Sequence, residues 1–222
     1  MGRFTTNYTT VYHLVRLNLD GSDDATFSPY VLGYNSSWIA GLQPDGGILV
    51  QIVAPIGNLP SNLIRFRPDG TLDRSFQPAL PFIQGALAIE PDGGFTAFAR
   101  PTPNPMEFTD YRPKRFTATG ALDPSFNAVI TSSSGDGGVL QQSDGKVIVW
   151  AQDSMTYRDA DNHFKASTVF RLNRDGSMDP TFDPSAEPGS MFLQADGGVL
   201  VVGKASDPTG IDRKSTRLNS SH

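Results

Sequence analysis

The chain has 222 residues, of which 38% are hydrophobic and 18% charged, a balance that suits a globular protein able to bury a real core and excludes a disordered one. Its net charge of -5 disfavours a nucleic-acid partner, because phosphate binding needs a basic footprint. The lack of cysteine excludes disulfides, thiolate zinc sites and a cysteine nucleophile.

Glycine at 22 and proline at 17 point to many tight turns, and so to many short strands. The opening MGRFTTNYTT has neither a charged nor an apolar leader segment, so no secretory signal is read from it. His13 follows in an expected strand, where a packed or edge histidine is the ordinary outcome. Arg16 to Phe27, RLNLDGSDDATF, reads as a strand, an Asp-Gly turn and an Asp-x-Thr-Phe ending. Leu42 to Val50, LQPDGGILV, reads as a hairpin: a mixed strand, a turn, then an apolar strand. The longest apolar stretch, 46–57, is broken by Gln51 and Pro55 and falls far short of the ~18 residues of a membrane helix.

Both elements then return. Arg65 to Phe76 is RFRPDGTLDRSF and Ile89 to Ala97 is IEPDGGFTA. Arg100 to Pro105 is a stiff proline-rich connector. Arg115 to Phe126 is RFTATGALDPSF, with Thr-Gly at the turn, and Gln141 to Val149 is QQSDGKVIV. Asp153 to Lys165 departs furthest from the pattern and is expected to be a polar loop. Arg171 to Phe182, RLNRDGSMDPTF, and Leu193 to Val201, LQADGGVLV, complete the series. The ending Lys214 to His222, KSTRLNSSH, resembles translated sequencing-adapter read-through and is set apart as a non-native tail. The other reading is a fifth arginine element beginning at Arg217.

Phe27, Phe76, Phe126 and Phe182 are spaced 49, 50 and 56 residues apart, and Asp45, Asp92, Asp144 and Asp196 are 47, 52 and 52 apart. Two elements sharing one period in four copies define a repeat of about fifty residues. Strand, turn, strand, loop, strand, turn and short strand within that length make one four-stranded propeller blade. The continuous apolar strand after each hairpin turn, such as Ile48 to Val50, predicts burial on both faces, as between stacked sheets. The expected fold is therefore all-β, a β-propeller region over 1–213. Complete blades are expected at about 38–76, 85–126 and 138–182, with a half blade at each end. An incomplete arc is the preferred form; a closed four-bladed ring made by pairing the two halves is the alternative.

The pair QPDGGILV and RLNxDGSxDxxF resembles the delta-60 repeat family of β-propeller repeats, over residues 12 to 204. The resemblance implies a propeller in a large surface or secreted microbial protein, hence an extracellular location, and implies no activity or site residues.

Candidate chemistry is sparse. Asn18, Asp20 and Asp24, and again Asn173, Asp175 and Asp179, offer oxygens at alternating positions, as calcium loops do. The second copy has Arg67 and the third Thr117 and Thr119 at those places, which a turn tolerates and a metal does not. The Asp three residues before each Phe recurs in every copy, which assigns it a structural role. Asp159, Asp161 and His163 stand at alternate positions in the expected loop and are the candidate cation ligands. No nucleophile elbow, phosphate loop or His-Glu-x-x-His is present, so neither a catalytic residue nor a cofactor is expected. The expected function is a non-catalytic binding or scaffolding module for an unknown protein or carbohydrate, with self-association through open blade edges. The alternative is a propeller hydrolase acting on carbohydrate.

Overall fold

A computed structural model describes residues 2–6, 9–28, 30–33, 37–52, 61–100, 111–133, 136–158, 163–182 and 187–204, and every regular element among them is a β-strand. The first sheet is antiparallel and holds β1 (Gly2–Thr6), β2 (Thr9–Leu14) and β3 (Tyr30–Gly33). The second holds β4 (Ser37–Leu42), β5 (Ile48–Ile52) and β6 (Leu63–Phe66). Next come β7 (Phe82–Ile89), β8 (Phe95–Arg100) and β9 (Arg112–Phe116), then β10 (Gly137–Gln141), β11 (Val147–Arg158) and β12 (Phe164–Leu172). Strands β13 (Glu187–Leu193) and β14 (Val199–Lys204) pair with each other.

The turn between β4 and β5 follows from its residues. Pro44 presets φ for the second position of a type I turn, and Gly46 at φ +84° takes the left-handed conformation that closes it. Gly46 N–H donates to the Gln43 carbonyl at 2.9 Å and Gln43 N–H to that of Gly47 at 2.8 Å. The loop is thus the three-residue hairpin with one left-handed glycine. Asp45 keeps ordinary geometry and instead accepts the Gly47 N–H on Oδ1 at 2.9 Å. Asp92, Asp144 and Asp196 repeat that carboxylate contact in their own hairpins.

Stacking is written in the alternation of the middle strands. In β5, Ile48, Val50 and Ile52 enter one core with Leu14 and Phe27, while Leu49 enters the next with Phe76 and Phe95. In β8, Phe95, Ala97 and Ala99 face that second core and Phe98 faces a third, which holds Phe126. In β11, Val147, Val149 and Ala151 join the third core, whereas Ile148 and Trp150 join a fourth with Phe182 and Val199. One core lies between each pair of successive sheets, and each receives one repeat phenylalanine. The strands that lead into the hairpins lie side by side: β7 and β10 run parallel and pair at Ala86 and Gly138, while β4 packs on β7 and β10 on β13. Successive antiparallel sheets stacked about their parallel inner strands are the blades of a β-propeller. Among the described residues no strand pairing joins β1–β3 to β13–β14, so the four-bladed ring is not closed there by strand exchange.

The glycines of the second, third and fourth arginine elements, Gly70, Gly120 and Gly176, mark where one blade receives the preceding one. Gly176, at φ +84°, has backbone N of Asn127 and Ala128 2.8 Å from where a Cβ would stand. Asn127 N–H donates to the neighbouring Asp175 carbonyl at 2.8 Å, and Ser28 N–H to that of Asp69 at 2.6 Å. Gly21 has a similar φ of +86° but nothing within 4 Å. Gly21→Ala should therefore cost only the left-handed strain, about 1–2 kcal/mol. Gly176→Ala should cost about 1–3 kcal/mol more, because its methyl meets backbone that cannot swing aside. Equal shifts in the urea midpoint of the two variants would contradict this reading of the blade joint.

One expectation needs correcting. Residues 153–158 are strand, not loop: β11 runs on to Arg158 and pairs with β12 from Met155↔Ser167 to Arg158↔Phe164, after an irregularity beyond Trp150. Alternation explains it. Met155 is fully buried and the Tyr157 ring meets Phe170 edge-on at 5.3 Å, while the polar Ser154 and Arg158 that flank them are exposed. The extra residues of this repeat lengthen a hairpin.

Candidate functional site

Each arginine element folds onto itself. Arg16, Arg65 and Arg171 reach the aspartate eight residues on at 2.7, 2.6 and 2.8 Å. That aspartate also caps its own turn: Asp179 Oδ1 accepts the Thr181 N–H at 3.0 Å and hydroxyl at 2.7 Å. Arg16, Arg115 and Arg171 lie over the ring three residues further on, at 5.1, 4.6 and 4.9 Å from the Phe27, Phe126 and Phe182 centroids. The recurring charges thus hold strand, turn and aromatic plug together.

A second recurring group stands at the mouth of each hairpin: Gln43, Glu90, Gln142 and Gln194. Gln43 Oε1 accepts Arg65 Nε at 2.6 Å, and its amide nitrogen donates to the carbonyls of Gly93 and Ala118 in the next blade. Glu90 draws Arg115 toward itself, with Nε 2.8 Å from Oε1 but off the hydrogen-bonding line, and Asp123 is left 4.0 Å away. The third copy departs from both. Lys146 replaces the glycine found at 47, 94 and 198. A Cβ at Gly47 would stand 2.6 Å from Arg65 Nε and 2.8 Å from Gln43 Oε1, so a side chain there is incompatible with that contact. Lys146 instead sends Nζ to Asp179 at 2.7 Å, and Gln142 Oε1 is buried with no hydrogen-bond partner.

Gln142 borders a cleft of about 610 Å³ between the second, third and fourth hairpin turns. Its walls include Glu90, Arg115, Gln141, Arg174 and Gln194. Gln141 Oε1 and Gln194 Oε1 are likewise buried and unpartnered. Buried acceptors are ordinarily hydrogen-bonded, so three amide oxygens at one cleft wall with no partner among the described residues single that wall out. Arg115 and Arg174 against Glu90 give the lining a formal charge of +1, on a chain whose net charge is -5.

His163 is exposed just before β12, and Asp159 and Asp161 lie outside the described residues. Among the described residues no cluster of three His, Asp or Glu is arranged to hold a metal ion. Asp20 and Asp175 act as turn acceptors, each taking the N–H and hydroxyl of the serine two residues on, at 2.6–3.0 Å. Asn173 donates to Ser177 Oγ and the Met178 carbonyl. In the third copy, which lacks these carboxylates, the hydroxyls of Thr117 and Thr119 meet at 3.0 Å. Sequence reasoning missed the arginine contacts and the cleft. The constant spacing of eight from Arg to Asp was the signal for the first, and Lys146 in place of glycine was the signal for the second.

A family model described as a β-propeller domain of unknown function (DUF5122) matches residues 1–27, 57–76 and 142–182. Those stretches carry three of the four arginine elements and the third hairpin turn, so the similarity falls on the residues that build the blade. No curated protein matches the chain.

Proposed function

We propose that this propeller is a non-catalytic binding or scaffolding module of a larger surface or secreted protein, built from delta-60-type repeats with blades at 38–76, 85–126 and 138–182. The observation that carries the reading is the division of labour among polar groups. Recurring Asp and Arg side chains are engaged in turns and blade contacts, whereas four of the six buried unpartnered side-chain atoms among the described residues, Arg115 Nε and the amide oxygens of Gln141, Gln142 and Gln194, belong to residues that line one cleft set on the hairpins. Rigid elements that present turns at one end suit recognition. Incubation with end-labelled oligosaccharides should give retention without new reducing ends. Reducing ends released in proportion to the protein would overturn the reading in favour of a carbohydrate hydrolase.

Self-association belongs to the same proposal. On β14, Val199 and Val201 face the fourth core while Leu200 and Val202 face away, 39% and 71% exposed, with Phe192 of β13 at 68%. The equivalent outward residues of β5, β8 and β11 are covered by a neighbouring sheet, so this face suits another blade. A monomer in sedimentation velocity at every concentration tried would count against it.

A further inference from the structure

We propose that the cleft between the second, third and fourth hairpin turns binds a hydroxyl-rich anion, the carboxylated unit of an acidic oligosaccharide. The proposal rests on the binding-module reading and adds a ligand class to it. Three features select the ligand. Gln141, Gln142 and Gln194 line the cleft with amide oxygens that have no partner among the described residues and lie just beneath its surface; a turn of the side chain would present them to donors such as sugar hydroxyls. Gln142 itself is only 7% exposed, so its oxygen sits in the wall and not on open surface. Arg174 uses Nε on the Asp144 carbonyl at 2.6 Å, which fixes the guanidinium plane and leaves its terminal nitrogens for a carboxylate.

The remaining lining narrows the choice. Ile89, Pro91 and Leu193 give short apolar surface for the C–H face of a sugar ring, and among the described residues no aromatic one lines the cleft to stack a planar base. A volume of about 610 Å³ lies within the usual range for small-ligand sites. An acidic peptide is the poorer fit, since its side chains bring acceptors to a wall that already has too many. Lys146 makes the arrangement particular to this blade. In the first copy Arg65 satisfies the corresponding glutamine, whereas here Arg171 and Lys146 both turn to Asp179.

Calorimetric titration of the full chain with trigalacturonate tests the proposal. Saturable binding is expected, weakened about tenfold or more by Arg174→Met and by full methyl esterification of the sugar, the loss of one charge-assisted contact. Arg174→Lys, which keeps the charge but loses the planar fork and its anchor on the Asp144 carbonyl, should bind between the parent and Arg174→Met. Arg174 is exposed, so the unfolding midpoint of each variant separates lost binding from lost folding. No saturable heat, equal affinity for acid and ester, or tighter binding of hexaglutamate would each overturn the proposal. Chromatography of the titrated sugar keeps the two readings apart: shortened product contradicts the non-catalytic module, whereas absent binding contradicts only this ligand assignment.

Discussion

Phe126→Ala is expected to destabilise the protein by about 3–5 kcal/mol, the range for truncating a fully packed core aromatic. The ring is 3% exposed and shares a core with Tyr111 and Ala128 on one side and Val147 and Leu172 on the other. Truncation therefore opens a cavity between two sheets, where neither can collapse without shifting the other. It also removes the surface under the Arg115 guanidinium, 4.6 Å from the ring centroid. Phe182→Ala should cost less, because that ring is only partly buried against its core. Equilibrium urea unfolding of the two variants checks the order, and a Phe126→Ala midpoint equal to that of the parent would refute the packing.

Asp179→Ala should be comparably severe. The carboxylate is 4% exposed and accepts from Arg171 Nε at 2.8 Å, Lys146 Nζ at 2.7 Å and the Thr181 N–H at 3.0 Å. Removing it strands the Arg171 guanidinium, whose side chain is 10% exposed, and breaking a buried pair in this way costs roughly 3–5 kcal/mol. Burial pushes the Asp179 carboxyl up, but hydrogen bonds from Lys146 and Thr181, with the Arg171 charge, outweigh it and hold the group well below the usual carboxylate range. A folded-state pKa depressed in this sense contributes stability that is whole above the unfolded value, about 3.9, and lost as pH falls below it. The urea midpoint should thus fall on acidification from about pH 6 to about pH 2.5, and fall less in Asp179→Asn. Parallel pH curves for parent and Asp179→Asn would contradict the assignment.

Much of the fold was legible because a blade repeats its chemistry every fifty residues. The hairpin turns at Asp45, Asp92, Asp144 and Asp196 were marked by Asp-Gly between unlike strands, and apolar runs such as Ile48 to Val50 marked burial on two faces. The hairpin extension was hidden because its inward residues, Met155 and Tyr157, alternate with polar ones in a stretch too short to read as a pattern. The turn aspartates were assigned structural work on recurrence alone, and their carboxylates do accept turn N–H groups. The cleft was beyond reach, since Glu90, Gln142 and Gln194 come from three repeats and meet only once blades stack. Its one local trace is Lys146, a single departure from glycine whose meaning depends on where Arg171 and Asp179 lie.

The central claim is that each middle strand is shared between two blade interfaces, and amide hydrogen exchange on the parent and on Phe126→Ala tests it most directly. The slowest amides of the parent should lie in β5, β8 and residues 147–151 of β11, which are almost all buried. In Phe126→Ala, exchange should quicken in both β8 and β11, the strands that flank this ring, with β5 little changed. Acceleration confined to one of those two sheets would show that Phe126 packs within a single blade, and the stacked architecture described for this chain would be wrong.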